Sequence, residues 1–167
     1  MGIPPVFATG TSIPQADLRW WIASRPYCYA YQSTPQTGVP TGTWTPVWLQ
    51  SQTIDRDGGH VGGSSGRYTI GLTFGRYEIT GAVAFTGPGG TTRQARLVVN
   101  GTVVPGSLTQ LPVAGAVSLI LPAVEVVSTT LTDYVELQCY HDAGSSLALG
   151  VAAGYASQMR VKYIGTN

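Results

Sequence analysis

Charged side chains are scarce in this chain. Its 167 residues include nine Lys or Arg and eight Asp or Glu, which give a formal net charge of +1. Proteins that bind nucleic acid neutralise phosphates with an excess of Lys and Arg, and without that excess we expect no nucleic-acid partner. So few charges also indicate that part of the surface is buried against copies of the chain. A monomer with a neutral surface rich in Ser, Thr and Gly is the alternative.

Cysteine and long apolar runs are equally rare. The two cysteines are Cys28 and Cys139, and their spacing from His does not suggest zinc. We interpret both as free, buried thiols, although a disulfide stays open if their strands are neighbours. The most apolar stretch, residues 113–127, is interrupted by Pro122 and Glu125. It is too short to span a bilayer, so we expect no membrane insertion.

Glycine and period-two alternation are abundant instead. The chain has 22 Gly, and Tyr27, Tyr29 and Tyr31 alternate with other residues in the manner of a strand. Residues 75–85 alternate over a longer stretch, and the dipeptide Asn100-Gly101 lies between two Val pairs, which predicts a tight hairpin. The whole pattern predicts an all-β, jelly-roll sandwich of about ten antiparallel strands.

Three consecutive stretches receive more specific predictions. Residues 35–43 are rich in turn-forming residues and are predicted to be a loop. Residues 44–54 are predicted to be a strand region, and residues 55–66 a glycine-rich loop.

The beginning of the chain has a different pattern. Ser12 and Gln15 are spaced as a helix cap, so we predict a short helix within residues 14–23. We therefore divide the chain into an N-terminal attachment segment, residues 1–26, and a β-domain, residues 27–167.

Several strand motifs lie in the second half of the chain. They are Arg67-Tyr68-Thr69, Gly75-Arg76-Tyr77-Glu78-Ile79, the run from Arg93 to Asn100-Gly101, Asp133-Tyr134-Val135-Glu136-Leu137, and the closing Ser157 to Gly165. In these motifs the chain resembles the globular head shared by complement and tumour-necrosis-factor-like proteins. The resemblance implies a jelly roll of about ten strands that packs into a tight homotrimer.

The earlier residues add a second resemblance. Residues 7–18 resemble the opening of phage minor tail proteins, with Ile13-Pro14 in place of a Leu-Thr pair. Gly42-Thr43-Trp44 and residues 55–60 resemble the versions of this fold in phages of actinobacteria. The resemblance implies a structural protein of a bacteriophage virion, made in the host cytoplasm, that belongs to the tail and binds the host surface. A capsid decoration protein, which stabilises the shell without a host ligand, is the alternative.

The same resemblance gives the attachment segment a role. Residues 1–26 would dock onto other virion proteins, with Leu18, Trp20 and Trp21 as candidate contacts. Because Trp20 and Trp21 are adjacent, their side chains would point in different directions from a helix, and at least one would contact another chain. The alternative is that both cover the β-domain.

Four residues are candidates for ligand binding. Asp55, Asp57 and His60 are close in sequence and are of types that hold a cation. No glutamate closes a calcium loop, however, and a turn in which Asp side chains accept backbone N–H groups is the favoured interpretation. We therefore predict no metal and no cofactor. Trp44 would stack on the sugar rings of a host cell-surface glycan, with avidity from several copies.

Motifs for catalysis are weak. Residues 62–66 match Gly-x-Ser-x-Gly, but Ser64 precedes a predicted strand, whereas a hydrolase nucleophile precedes a helix. Glu78, Glu125, Glu136 and Asp133 could supply the carboxylate pair of a glycosidase, but the sequence gives no way to place two of them at the required separation. Glu78 and Glu136 are expected to be solvated or paired with one of three arginines, Arg76, Arg93 or Arg96. We therefore expect that the protein is not an enzyme.

Overall fold

The computed structural model describes residues 25–70, 74–113, 115–152 and 154–166. These residues form strands and turns, and this part of the chain contains no helix with the length and apolarity needed to cross a bilayer. In chain order the strands are β1 (Tyr27–Tyr31), β2 (Gln36–Val39), β3 (Thr45–Pro46), β4 (Ser51–Asp55), β5 (His60–Val61), β6 (Arg67–Thr69), β7 (Gly75–Thr86), β8 (Arg93–Val99), β9 (Thr102–Val103), β10 (Thr109–Leu111), β11 (Val117–Ile120), β12 (Val124–Ser128), β13 (Tyr134–His141), β14 (Leu147–Leu149), β15 (Val151–Ala152), β16 (Tyr155–Ala156) and β17 (Gln158–Gly165).

The first of the two main sheets is built around β7. Its strand order is β2-β14-β7-β17-β1-β4, and β11 and β12 also pair with β7. Along β7, Tyr77 and Ile79 are fully buried whereas Arg76 and Glu78 are exposed. One face of this sheet therefore lies against the core and the other points outward, as the alternation of residues 75–85 predicts.

The second sheet is built around β13. Its strand order is β10-β8-β13-β6-β5, with β3 paired to β13 and β9 paired to β8. All pairings in both main sheets are antiparallel. The core between the sheets includes the fully buried side chains Tyr68, Ile70, Tyr77, Ile79, Phe85, Leu97, Leu119, Leu137, Leu149, Met159 and Val161. The predicted all-β sandwich of antiparallel strands is confirmed.

The hairpin after β8 forms at the predicted dipeptide. Asn100 has φ of +51° and Gly101 has φ of +79°, which is the left-handed conformation that the two central positions of such a turn require. The flanking residues pair as Val98 with Val103 and Val99 with Thr102.

The three more specific predictions are wrong in part. The predicted glycine-rich loop at residues 55–66 contains the two-residue strand β5, which pairs with β6. The predicted loop at residues 35–43 contains strand β2, which pairs with β14 at the edge of the first sheet. The predicted strand region at residues 44–54 is two strands in different sheets, β3 and β4. The Gln36 side chain holds β2 against the segment that crosses from β3 in one sheet to β4 in the other. Its Nε2 donates to the Pro46 oxygen at 2.9 Å, and its Oε1 accepts from the Trp48 N–H at 2.8 Å.

The two cysteines are free and fully buried, as predicted. Cys28 lies in β1 of the first sheet and Cys139 lies in β13 of the second. Burial raises the pKa of each thiol to about 12. Both therefore act as small apolar core residues rather than as reactive thiolates.

The predicted helix within residues 14–23 lies outside the described residues, as does most of the attachment segment. The division of the chain at residue 26 stays a prediction.

Candidate functional site

Asp55 forms a local turn. One of its carboxylate oxygens, Oδ1, accepts a hydrogen bond from the Gly59 N–H at 3.2 Å, and the other, Oδ2, accepts from the His60 N–H at 3.0 Å. Both oxygens are therefore engaged with backbone donors of the loop that follows β4. For this aspartate the favoured interpretation, a turn held by its side chain, is confirmed.

Asp57 and His60 contact different partners. Asp57 accepts a hydrogen bond from the hydroxyl of buried Tyr68. Burial raises the pKa of Asp57, although the Tyr68 hydrogen bond opposes this. His60 Nδ1 lies 2.7 Å from Gln52 Oε1, and burial lowers the pKa of His60. Within the described ranges, no three His, Cys, Asp or Glu side chains are grouped so that they would hold a metal ion.

Trp44 lies apart from that loop, on the outward face of the second sheet. The Arg96 guanidinium carbon is 3.8 Å from the centroid of the Trp44 ring. The ring of Tyr140 is 5.4 Å away and tilted by 40°. Asp55, by contrast, pairs with Cys28 in the first sheet. The structure therefore does not bring the four predicted ligand-binding residues into one site.

A chain of hydrogen bonds continues from Arg96 along β13. Arg96 Nε donates to Gln138 Oε1, and Gln138 Nε2 donates to Glu136 Oε1, both at 2.9 Å. Arg67 Nε of β6 donates to Glu136 Oε2, also at 2.9 Å. The Arg67 guanidinium carbon lies 4.3 Å from the centroid of the Tyr134 ring. We call this surface the arginine–aromatic row, and its members are Trp44, Arg67, Arg96, Tyr134, Glu136, Gln138 and Tyr140.

The charges of the arginine–aromatic row differ in accessibility. The Arg67 side chain is 45% exposed, whereas the side chain of Glu136 is 5% exposed. The hydrogen bond from Arg67 to Glu136 raises the pKa of Arg67. Burial lowers the pKa of Arg96, but a guanidinium starts so far above neutral pH that it stays charged. Solvent therefore meets positive charge, with the carboxylate beneath it.

The predicted partners of Glu136 are wrong. Its partner is Arg67, which lies opposite Glu136 in the β6–β13 pairing. Arg76 pairs instead with Glu125 at 2.6 Å, and Arg93 is fully buried. Arg96, the third predicted partner, bonds to Gln138. Sequence reasoning missed Arg67 as a member of the site. The sequence could point to Arg67 only if β6 and β13 were known to be neighbours, because the two residues then share the outward face.

The outward face of the first sheet carries a second aromatic cluster. Tyr27, Tyr29 and Tyr31 point outward along β1 and alternate with fully buried residues. The ring centroids of Tyr29 and Tyr31 are 6.2 Å apart. From β17, the Arg160 guanidinium carbon lies 5.1 Å from the Tyr29 centroid.

A depression of about 290 Å³ lies beside these tyrosines. The Tyr29 hydroxyl donates to Gln158 at its margin. Ile120, also in its lining, is 76% exposed, and Leu108 and Leu111 at the neighbouring β10 are 52% and 40% exposed. We call this surface the tyrosine face, and the residues that line the depression are Tyr29, Thr80, Gly81, Ala82, Ile120, Leu121, Gln158 and Arg160.

The three candidate attachment residues Leu18, Trp20 and Trp21 lie outside the described residues. Their role stays a prediction.

Comparison with known proteins identifies the fold. No protein-family model matches the chain, and no curated protein matches it. The globular domain of zebrafish complement 1qA protein matches with a TM-score of 0.62 and 12% identity, over 86% of this chain and 100% of that one. Murine APRIL matches with a TM-score of 0.59 and 11% identity, over 83% of this chain and 98% of that one. The PRD1 vertex protein P5 matches with a TM-score of 0.54 and 15% identity, over 84% of this chain and 74% of that one. The chain therefore has the jelly-roll fold of complement globular heads and tumour-necrosis-factor-like proteins.

Proposed function

We propose that this protein is a homotrimeric structural protein of a bacteriophage virion, part of the tail, that displays its β-domain and binds the host surface. The observation that carries a virion role is the structural likeness to the PRD1 vertex protein P5, which extends over 84% of this chain. The resemblance of residues 7–18 to the opening of phage minor tail proteins favours the tail.

The tyrosine face supports self-association. Ile120 in its lining is a large apolar side chain that is 76% exposed, and covering such area gains about 25 cal/mol per Å². A second copy of this chain is the proposed occupant, because only 10% of residues are charged and few charges would have to be desolvated. Contact between two different surfaces of the same chain closes into a ring when the rotation allows it, and a three-membered ring is what the fold resemblance implies.

A capsid decoration protein is the second candidate. The name of the PRD1 protein refers to a vertex, which favours a position on the shell. A trimer that binds only the assembled shell would stabilise it by mass action without any host ligand.

The proposal includes no catalytic activity. Ser64 lies between β5 and β6, so a strand and not a helix follows it, contrary to the arrangement of a hydrolase nucleophile. Of the four candidate carboxylates for a glycosidase pair, Glu136 is bonded to Arg67 and Gln138, and Glu125 is bonded to Arg76.

The test is to locate the protein on purified phage particles by gold-labelled antibody and mass spectrometry. We expect label at the tail, together with loss of host adsorption by otherwise intact particles when the gene is deleted. Uniform label over the shell with normal adsorption would support the decoration protein instead. Absence of the protein from purified particles would overturn both.

A further inference from the structure

We propose that the arginine–aromatic row is a binding site for an anionic oligosaccharide, in which the sugar carries carboxylate or phosphate groups. This inference rests on the host-surface binding proposed above and names the ligand class and the site.

The row offers the chemistry that such a ligand needs. Trp44, Tyr134 and Tyr140 are half-buried on the outward face, and Trp and Tyr supply rigid, amphipathic contact area at low entropic cost. Arg67 and Arg96 are paired within the row through Nε. Among the described residues the structure shows no acceptor bound to the terminal nitrogens of either guanidinium, and this planar fork fits carboxylate or phosphate.

The charge distribution selects an anion. The one carboxylate of the row, on Glu136, is 5% exposed and accepts from both Arg67 and Gln138. An approaching ligand therefore meets two guanidinium groups while the compensating charge is covered. A neutral sugar could accept hydrogen bonds from these guanidinium groups but would lack the stronger, charge-assisted pairing that a carboxylate or phosphate makes with them.

The dimensions select an oligosaccharide. Tyr134 and Tyr140 stand at the two ends of the row, six residues apart on β13, and a strand rises about 3.3 Å per residue, so the row is about 20 Å long. Arg67 and Arg96 come from β6 and β8, which flank β13 on either side. Contact with both arginines requires a ligand longer than one sugar ring.

The row is also held in place before any ligand arrives. Apart from Trp44, which directly precedes β3, its side chains stand on strands of the second sheet. The bonds from Arg96 through Gln138 and Glu136 to Arg67 fix the orientation of these four side chains. Preorganised groups bind with a smaller loss of conformational entropy. The tyrosine face, which the trimer would cover, belongs to the other sheet, so both surfaces can be used at once.

The experiment is calorimetric titration of the full chain with trigalacturonate, with a galactotriose that carries phosphate groups, and with neutral galactotriose as the uncharged comparison. We expect at least one anionic probe to bind, with galactotriose at least about tenfold weaker, and the preferred probe will distinguish carboxylate from phosphate. Arg96→Gln and Arg67→Gln should each weaken binding about tenfold. Having both variants keeps the test valid if one of them folds poorly, which thermal melting would reveal.

Arg56→Gln is the matched control. Arg56 also stacks on a tyrosine, with its guanidinium carbon 5.7 Å from the Tyr27 centroid, but it lies beyond β4 of the first sheet. Replacing Arg56 should change the affinity for the anionic probe by no more than about twofold. Failure of the wild-type chain to bind either anionic probe would overturn the inference, and so would an equal loss in Arg56→Gln. Neither result depends on where the protein lies on the particle, so the proposed function is judged separately.

Discussion

At the scale of single residues, Asp133 holds together the end of one sheet. It is 5% exposed. Its Oδ2 accepts from the N–H groups of Thr129 and Thr130 at 2.7 and 2.9 Å, and its Oδ1 accepts from Asn100 Nδ2 at 2.8 Å. Burial alone would raise the pKa of Asp133, but the hydrogen bonds from Thr130, Asn100 and Thr129 outweigh it and hold the pKa well below its usual range. The carboxylate therefore joins the β8–β9 hairpin to the turn before β13.

We predict that Asp133→Asn lowers the free energy of unfolding at pH 7 by roughly 2 kcal/mol, because hydrogen bonds to a charged acceptor are lost. A carboxyl whose folded pKa is depressed stabilises the protein above its unfolded pKa, near 3.9, and this contribution disappears as pH falls through the folded pKa. The difference between wild type and variant should therefore shrink below about pH 4. Urea denaturation of both proteins at pH 7, 5 and 3 measures the difference in their free energies of unfolding. A difference that does not change with pH would contradict this account.

At the scale of elements, the turn between β5 and β6 packs on the segment that crosses between the sheets. Gly66 in that turn has φ of +53°, and a Cβ there would lie 2.0 Å from the backbone oxygen of Val47. Gly101 in the β8–β9 hairpin has φ of +79°, but a Cβ there would have open space. The two glycines share a left-handed conformation and differ in what surrounds them.

We predict different costs for alanine at these two positions. Gly101→Ala should cost about 1 kcal/mol, the penalty for a side chain in the left-handed region. Gly66→Ala should cost at least about 3 kcal/mol, because the Val47 backbone must also move. Chemical denaturation of both variants gives the comparison, in which Gly101→Ala serves as the control for backbone conformation. Equal losses would mean that the turn yields without disturbing the crossing segment.

The sequence predicts the long strands well and the short edge strands poorly. β7 and β13 have one buried face over many residues, so alternation reveals both the strand and its inward side chains. β2 has only four residues, and its two central ones, Thr37 and Gly38, are exposed. Its place is set by pairing with β14, more than a hundred residues later. That partner leaves no trace in the local pattern.

The candidate site was harder to predict for the same reason. The chemistry of Trp44 makes it a candidate from the sequence alone, and the structure places it on an outward face. Its neighbour Arg96, however, reaches it across β13, and Arg67 meets Glu136 from 69 positions away. Alternation alone would have removed Arg93 from the candidate partners, because it shares the inward register of Ala95 and Leu97. Which outward residues become neighbours depends on strand order, which is a tertiary property.

At the scale of the whole molecule, the two outward faces divide the proposed tasks. The tyrosine face has exposed Ile120 beside a depression, whereas Arg67 and Arg96 in the arginine–aromatic row are bonded within it only through Nε. A surface that a second copy covers gains from apolar area, and a surface that binds anions in water needs accessible donors. The first sheet therefore suits assembly and the second suits display.

We predict that Ile120→Asp converts the proposed trimer into a folded monomer. Ile120 is 76% exposed in the single chain, so a carboxylate there is solvated and the jelly roll keeps its stability. In an assembled trimer the same carboxylate would be buried without a partner, which costs several kcal/mol. Val61→Asp is the matched control, since Val61 is 50% exposed at β5 of the other sheet, and it should leave the trimer intact. Sedimentation velocity with circular dichroism tests this. A monomeric wild-type chain, or a trimer that tolerates Ile120→Asp, would rule out the tyrosine face as the contact, because no unpaired charge is held in an apolar interface without a large loss of affinity.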